Sequence, residues 1–197
     1  MTRPDPSLWK GVVAPEILDA LRLASDALTH AQVRHVVVGG LAVSANGHPR
    51  ATKVVDFLVG REAFVSHASG LMTVRPEVPF QVRGIAVDLL SPEAGEDFLE
   101  AVLAQPPGSI MEAPPLVYMK LKASRLKDRA DVVELIKASI DVEEVRRFSR
   151  RMRRRWSQRS TSWRHKPKPK SSYAVIAPRR GVNRVYLVKD TRRGTAG

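Results

Sequence analysis

The stretch that decides the fold is "RATKVVDFLVG", residues 50–60, in which one carboxylate, Asp56, interrupts a run of apolar residues. The β-branched residues, and the glycine that closes the run, predict a buried strand over Val54–Val59. A charge inside such a strand costs free energy unless it has a partner or a ligand. Asp56 is therefore the first candidate for a functional residue.

Elements of both kinds surround this strand. An apolar face in residues 14–32 predicts an amphipathic helix, and "HVVVGG" (residues 35–40) predicts a buried strand that ends in a tight turn. A short helix follows up to Gly47, and "FQVRGIAVDLLSP" is typical of a hairpin with its turn at or near Gly84. Further helices are expected over residues 61–72, 93–104, 114–138 (a consecutive pair) and 141–150. The pattern predicts an α/β (α+β) fold, with a mixed β-sheet flanked by helices and a helical C-terminal segment.

The basic charge is confined to one end of the chain. The 197 residues carry a net charge of +13, but residues 1–150 hold 18 basic and 19 acidic side chains. Residues 151–197 hold 15 basic side chains and one acidic, so this segment has a charge of +14 and the preceding part −1. We therefore divide the chain into a domain at 1–150 and a basic tail at 151–197, which we expect to be disordered because Lys-Pro alternation resists regular structure.

Composition also excludes several function classes. The chain contains no cysteine, which rules out disulfides, thiol catalysis and Cys-ligated zinc. No apolar run approaches the roughly 18–20 residues of a membrane span, and the first residues lack the apolar core of a signal peptide. We expect a cytoplasmic protein with no membrane association.

Four chemistry-bearing features follow one another along residues 15–140. The first is the glycine pair after the first strand, and the second is the Asp56 strand with its preceding "R-x-T". The third is an aspartate in "IAVDLL", and the fourth is the charged helix pair "YMKLKASRLKDRADVVEL". The residues concerned are Gly39, Gly40, Arg50, Thr52, Asp56, Asp88, Lys120, Arg125, Asp128 and Asp131.

This order resembles the nucleotidyltransferase superfamily with the polymerase-beta-like fold, and most of all the branch of AbiEii/AbiGii-type toxins of toxin–antitoxin systems. That branch has a strand ending in Gly-Gly or Gly-Ser, Asp-x-Asp on the next strand after "R-x-T", and a third Asp on a later strand. A segment "K-L-x-A-x-R-x-K-D-x-x-D" follows. The matching residues of that segment here are Lys120, Leu121, Ala123, Arg125, Lys127, Asp128 and Asp131.

The resemblance implies transfer of a nucleotide from a nucleoside triphosphate to a nucleic-acid acceptor such as tRNA, or to a protein hydroxyl, with Mg²⁺ as cofactor. A cognate antitoxin would be a further partner. By the same resemblance Asp56 and Asp88 are the metal-binding and catalytic carboxylates, and Lys120 is a catalytic residue that contacts phosphate. The nucleotide-binding residues it implies are Gly39, Gly40, Arg50 and Thr52.

One position departs from the family pattern. The strand "T-K-V-V-D-F-L-V" aligns with "T-x-D-h-D-h-L-V" only if Val54 stands where the first carboxylate belongs. Losing one ligand of a two-metal site weakens metal binding, and we expect a rate loss of about 10³ or more. The chain is then a degenerate enzyme, a member inactivated by substitution because its toxicity was selected against, or an enzyme with a substitute carboxylate. The alternative function is a catalytically inactive relative that binds nucleotide, RNA or an antitoxin.

Simpler explanations exist for most of these residues. A glycine pair is often only a tight turn, Asp88 is able to cap a turn, and Arg50 and Thr52 are able to tether the strand without touching nucleotide. Lys120, Arg125 and Asp128 also fit a solvated helix face. Asp131 also fits an ion pair with Lys127 four residues earlier.

Two origins fit the tail. Trp156 and Trp163 among arginines resemble an RNA-binding pattern, so residues 151–197 on their own fit a small basic nucleic-acid binder. An abrupt shift to Arg, Ser, Pro and Trp is also what an out-of-frame translation of GC-rich DNA produces. A real tail binds phosphate backbones with a steep salt dependence.

Overall fold

Among the residues that the computed structural model describes, seven strands form one mixed sheet. The structure describes residues 3–64, 80–93, 95–138, 143, 145–148, 150, 173–176 and 186–189. The strands are β1 His35–Val37, β2 Val54–Val59, β3 Phe80–Val82, β4 Ile85–Leu90, β5 Ser109–Ile110, β6 Tyr173–Ile176 and β7 Tyr186–Lys189. Their order across the sheet is β5-β1-β2-β4-β3-β6-β7. The predicted α+β class with a mixed sheet is confirmed.

In the described part of the chain, five α-helices pack around this sheet. They are α1 Pro15–His30, α2 Gly39–Ala45, α3 Asp97–Val102, α4 Ala113–Ala123 and α5 Leu126–Lys137. Two short 3₁₀ helices occupy Pro6–Trp9 and Arg61–Phe64. Residues 143, 145–148 and 150 are also helical. The predicted helix over 61–72 is 3₁₀ where it is described, and its remainder lies outside the described residues.

The pairing of the central strands fixes the register of the candidate site. β2 runs antiparallel to β1, with Val37 opposite Phe57, and parallel to β4, with Asp56 opposite Asp88. β3 and β4 form the predicted antiparallel hairpin, whose turn is Arg83 and Gly84. The predicted stop of α2 at Gly47 is confirmed. The N–H groups of Gly47 and His48 donate to the carbonyls of Ser44 and Val43, which is the Schellman pattern.

Alternation along β2 divides the core into two layers. Val55, Phe57 and Val59 join α1 in one apolar cluster on one face of the sheet. Leu58 joins a second cluster on the opposite face, which is built from α2, α3, α4 and α5. Because side chains in a strand alternate between faces, Asp56 points to the same side as Leu58, toward the α4–α5 layer.

Two features of the sheet were not predicted. The two-residue β5 pairs in parallel with β1 and is too short to leave a periodic pattern. In the tail, β6 pairs in parallel with β3, and β7 pairs with β6, so the expected disorder is wrong for Tyr173–Ile176 and Tyr186–Lys189. The rest of 151–197 lies outside the described residues, so its disorder stays a prediction. None of the helices described is long and apolar enough to cross a membrane.

Burial in these layers gives a direct test of the fold. Leu28 of α1 is 0% exposed, whereas Leu126 at the start of α5 is 86% exposed. We expect Leu28→Ala to lower the free energy of unfolding by about 3 kcal/mol, because it removes buried methyl groups and leaves a cavity. The matched change Leu126→Ala should alter it by less than about 0.5 kcal/mol. Urea unfolding of both variants checks this, and equal losses would contradict the packing.

Candidate functional site

The two aspartates singled out by the sequence lie side by side. Asp56 and Asp88 are Cα partners in the parallel β2–β4 pair, so their side chains project from the same face of the sheet. Asp88 lies inside β4, two residues before its end, so it does not cap a turn. Burial and the neighbouring charge of Asp88 raise the pKa of the Asp56 carboxyl above its usual value. The pair is the electrostatic centre of the candidate site.

The glycine pair is in direct contact with Asp56. The N–H of Val38 donates to the carbonyl of Asp56 at 2.9 Å, and the chain then turns at Gly39, where φ is +64°. A Cβ on Gly39 would lie 1.9 Å from Oδ2 of Asp56. The backbone of Gly40 hydrogen-bonds the same carboxylate, which partly offsets the rise in its pKa. Gly39 therefore serves close packing against Asp56, in a conformation that favours glycine.

Arg50 and Thr52 lie next to the second glycine. A Cβ on Gly40 would be 2.9 Å from Oγ1 of Thr52 and 3.3 Å from a terminal nitrogen of Arg50. Thr52 donates its hydroxyl to the carbonyl of Val54 at 3.1 Å. Arg50 lies beside Asp131, with Nε 2.8 Å from Oδ1 and a terminal nitrogen donating to Oδ2 at 2.9 Å. Both residues thus tether the segment before β2 in this structure.

Lys120 is buried between two carboxylates. Its Nζ lies 3.0 Å from Oδ1 of Asp128 and 2.8 Å from Oδ2 of Asp131, and the residue is 7% exposed. Its charge also lowers the pKa of Asp56, which places it near the acidic pair. A contact between Lys120 and a phosphate would require it to exchange one of these partners.

Two of the simpler explanations are wrong. Lys120 and Asp128 are buried, so they do not belong to a solvated helix face. Asp131 pairs with Arg50 and Lys120 and not with Lys127. The physical reason is the spacing in α5. Asp128 and Asp131 share the buried face of that helix with Val132 and Leu135, which completes an i, i+3, i+4, i+7 pattern that the sequence already carried.

Two further cations act on the acidic pair. Arg125 immediately precedes α5, and its Nε lies 2.6 Å from Oδ2 of Asp128. The hydrogen bond to Asp128 raises the pKa of the guanidinium. Burial lowers this pKa, and the charges of Asp56 and Asp88 raise it further. The charge of Lys127, like that of Lys120, lowers the pKa of Asp56. The sequence had grouped Arg125 with the motif but had given it no role in the site.

The acidic pair offers a donor set that fits one Mg²⁺. Magnesium takes oxygen ligands and is commonly held by one or two carboxylates, with waters and substrate phosphates completing its shell. Asp56 and Asp88 supply two such carboxylates, and Val54, opposite Ala86 on the same face, supplies none. Among the described residues, no group of three or more His, Cys, Asp or Glu could hold a metal.

Comparison with known proteins adds nothing to this geometry, because no protein-family model matches the chain and no curated protein is significantly similar to it.

The contact between Gly39 and Asp56 predicts a coupled pair of substitutions. Gly39→Ala should cost at least about 2 kcal/mol, because the methyl group would overlap the carboxylate at a positive φ. Gly11→Ala, the control, has a similar φ of +74° but meets no atom within 4 Å, so it should cost only the backbone strain, about 1 kcal/mol. In a double-mutant cycle by denaturant unfolding, Gly39→Ala with Asp56→Gly should cost clearly less than the two single changes combined. Additive costs would contradict the contact.

The Asp128 ion pairs predict how stability depends on pH. Burial alone would raise the pKa of Asp128, but hydrogen bonds from Arg125 and Lys120 outweigh it and hold the pKa below its usual value. Such a carboxylate stabilises the fold above its unfolded pKa of about 3.9, and this stabilisation is lost as pH falls through the folded value. We expect Asp128→Asn to cost about 3 kcal/mol at pH 7.

Below about pH 4 the difference between Asp128→Asn and the parent protein should shrink, because the parent carboxyl becomes protonated as well. Urea unfolding from pH 7 to pH 3 measures it. Asp26→Asn is the control, because Asp26 is exposed and lies 3.9 Å from Arg22, so its loss should change stability by less than about 0.5 kcal/mol. A cost for Asp128→Asn that stays constant with pH would contradict this role for the carboxylate.

Proposed function

We propose that this chain is a nucleotidyltransferase-like protein that binds a nucleoside triphosphate at the Asp56–Asp88 pair and is impaired in transfer by Val54. The observation that carries the proposal is the register of β2 against β4, which pairs the two aspartates beside the Gly39–Gly40 turn. The four sequence features were far apart along the chain, and they converge on one face of the sheet, at the central strands β2 and β4. Their convergence supports the resemblance to the polymerase-beta-like fold.

The residues have distinct tasks in this proposal. Asp56 and Asp88 hold one Mg²⁺, which when bound supplies positive charge next to the triphosphate. As the attacking oxygen bonds to the α-phosphorus, the bond to the bridging oxygen breaks and pyrophosphate leaves, and Asp88, or the pair, accepts the proton of the hydroxyl. Backbone N–H groups of the glycine turn and nearby cations offset the negative charge of the phosphates. The acceptor is a nucleic acid such as tRNA or a protein hydroxyl, as in the toxins that the sequence resembles.

A second function, that of a binding module without catalysis, is favoured by one observation. Val54 and Ala86 form an apolar pair on the face that carries Asp56 and Asp88, where the family pattern has a carboxylate. A site with two carboxylates retains nucleotide binding through one ion and lacks the second ion that stabilises the leaving oxygens. In this form the chain binds nucleotide, RNA or an antitoxin and transfers nothing.

Restoring the missing carboxylate separates the two functions. Radiolabelled nucleoside triphosphates are incubated with Mg²⁺, total cellular RNA and protein extract, and label is counted in both fractions. Val54→Asp should raise incorporation by about 10³-fold over the parent chain, because it restores the third ligand. Val54→Asn has nearly the same shape without the charge and should stay at the parental level.

Adding Asp88→Asn to Val54→Asp should abolish the gain. Triphosphate binding by the parent chain with no incorporation by Val54→Asp would favour the binding module over the enzyme. Neither binding nor incorporation by any variant would remove both functions.

A further inference from the structure

Lys120 is poorly placed to contact a ligand. Both of its carboxylate partners, Asp128 and Asp131, are themselves buried, and the lysine is 7% exposed. Moving the ammonium to a phosphate would leave these two buried carboxylates with one arginine each, Arg125 at Asp128 and Arg50 at Asp131, and would break two short ion pairs. Lys120 instead neutralises the buried carboxylates of Asp128 and Asp131.

Arg125 has the opposite properties. Its side chain is 59% exposed, although its Nε is only 2.6 Å from Oδ2 of Asp128. Ser124, with φ of 55°, reverses the chain between α4 and α5 and sets Arg125 at the very start of the second helix. The charges of Asp56 and Asp88 both act on this guanidinium. Arg125 is thus an accessible cation that is held by a buried carboxylate and lies within the field of the acidic pair.

The guanidinium has a donor edge to spare. Within the described part of the chain, its hydrogen bonds go to Asp128 alone, through Nε at 2.6 Å and one terminal nitrogen at 3.5 Å. The other terminal nitrogen remains for a ligand oxygen. An arginine held on one edge by a carboxylate loses little freedom on binding, and its planar fork suits phosphate.

We propose that Arg125, rather than Lys120, is the residue that binds the triphosphate, and that Asp128 is a positioning residue that holds Arg125 over the Asp56–Asp88 pair. This inference rests on the proposed function, since it assigns the phosphate contact of that same site. It replaces the role that the sequence resemblance implies for Lys120. Lys127 adds positive charge nearby but has no carboxylate that fixes its direction among the described residues.

Two arginines of the same turn give a matched test. Arg129 is exposed and donates to the hydroxyl of Ser124 at 3.1 Å, so Arg129→Gln removes the same charge four residues away. Calorimetric titration of the full chain with ATP, CTP, GTP and UTP, each with Mg²⁺, measures binding. Arg125→Gln should weaken binding of the preferred triphosphate at least tenfold, and Arg129→Gln less than threefold.

The ratio of the affinities for the triphosphate and for the corresponding nucleoside is a second measurement. A substitution that only disturbed the fold would weaken both affinities and leave this ratio unchanged. Arg125→Gln should reduce this ratio about tenfold, measured at a temperature where the variant is fully folded, because the fully buried Asp128 loses a partner in it. Asp128→Asn, at a temperature where it is fully folded, should weaken triphosphate binding by a smaller factor. Arg125→Lys should recover part of the loss, because it restores charge without the fork.

The outcomes separate this inference from the function on which it rests. Parent binding that Arg125→Gln leaves unchanged, or that both arginine variants weaken equally, overturns the assignment of Arg125 alone. No triphosphate binding by either the parent chain or Val54→Asp overturns the proposed function and the assignment together.

Discussion

The contact between the Gly39 turn and the Asp56 carboxylate is the constraint on which the candidate site depends. β1 brings the turn to the middle of β2, where the Val38 N–H meets the Asp56 carbonyl. The side chain of Asp56 then lies where any Cβ at residue 39 would have to be. Because β4 is in register with β2, the same arrangement fixes Asp88. One backbone turn therefore determines where both carboxylates stand.

Charge balance explains how so many ionised groups coexist on one face of the sheet. The described part of the chain gathers four carboxylates and four cations here, namely Asp56, Asp88, Asp128, Asp131, Arg50, Lys120, Arg125 and Lys127. A carboxylate at residue 54 would tip this balance to negative and increase the need for divalent cations. With Val54 the cluster is already balanced by its own side chains, which lowers the charge that a ligand or ion has to supply.

The sequence predicted most of the fold because its signals were local. The period of α1, the hairpin at Gly84, the stop at Gly47 and the boundaries of the α4–α5 pair all follow from residues close together in the chain. The site could be predicted only as a set of residue types in order. That Asp131 pairs with Arg50 depends on contacts 81 residues apart, which no local pattern encodes.

Other features escaped prediction for physical reasons. β5 is only two residues long. β6 joins the sheet through its pairing with β3, which is distant from it in the sequence. The burial of Asp128 and Asp131 was legible in their spacing with Val132 and Leu135, but charged residues on an apolar face are more often exposed. The preference for Arg125 over Lys120 required the exposure of each side chain, which a sequence motif does not contain.

The contact of Gly39 with Asp56 also bears on how such a chain changes through evolution. Replacing this glycine damages the folded state whether or not any ligand is ever bound, so purifying selection for folding alone would retain it. A lineage that had lost the activity would therefore still carry this glycine, because the folded state requires it. In such lineages the first sign of lost catalysis would be a substitution at position 54, because β2 forms without a carboxylate there.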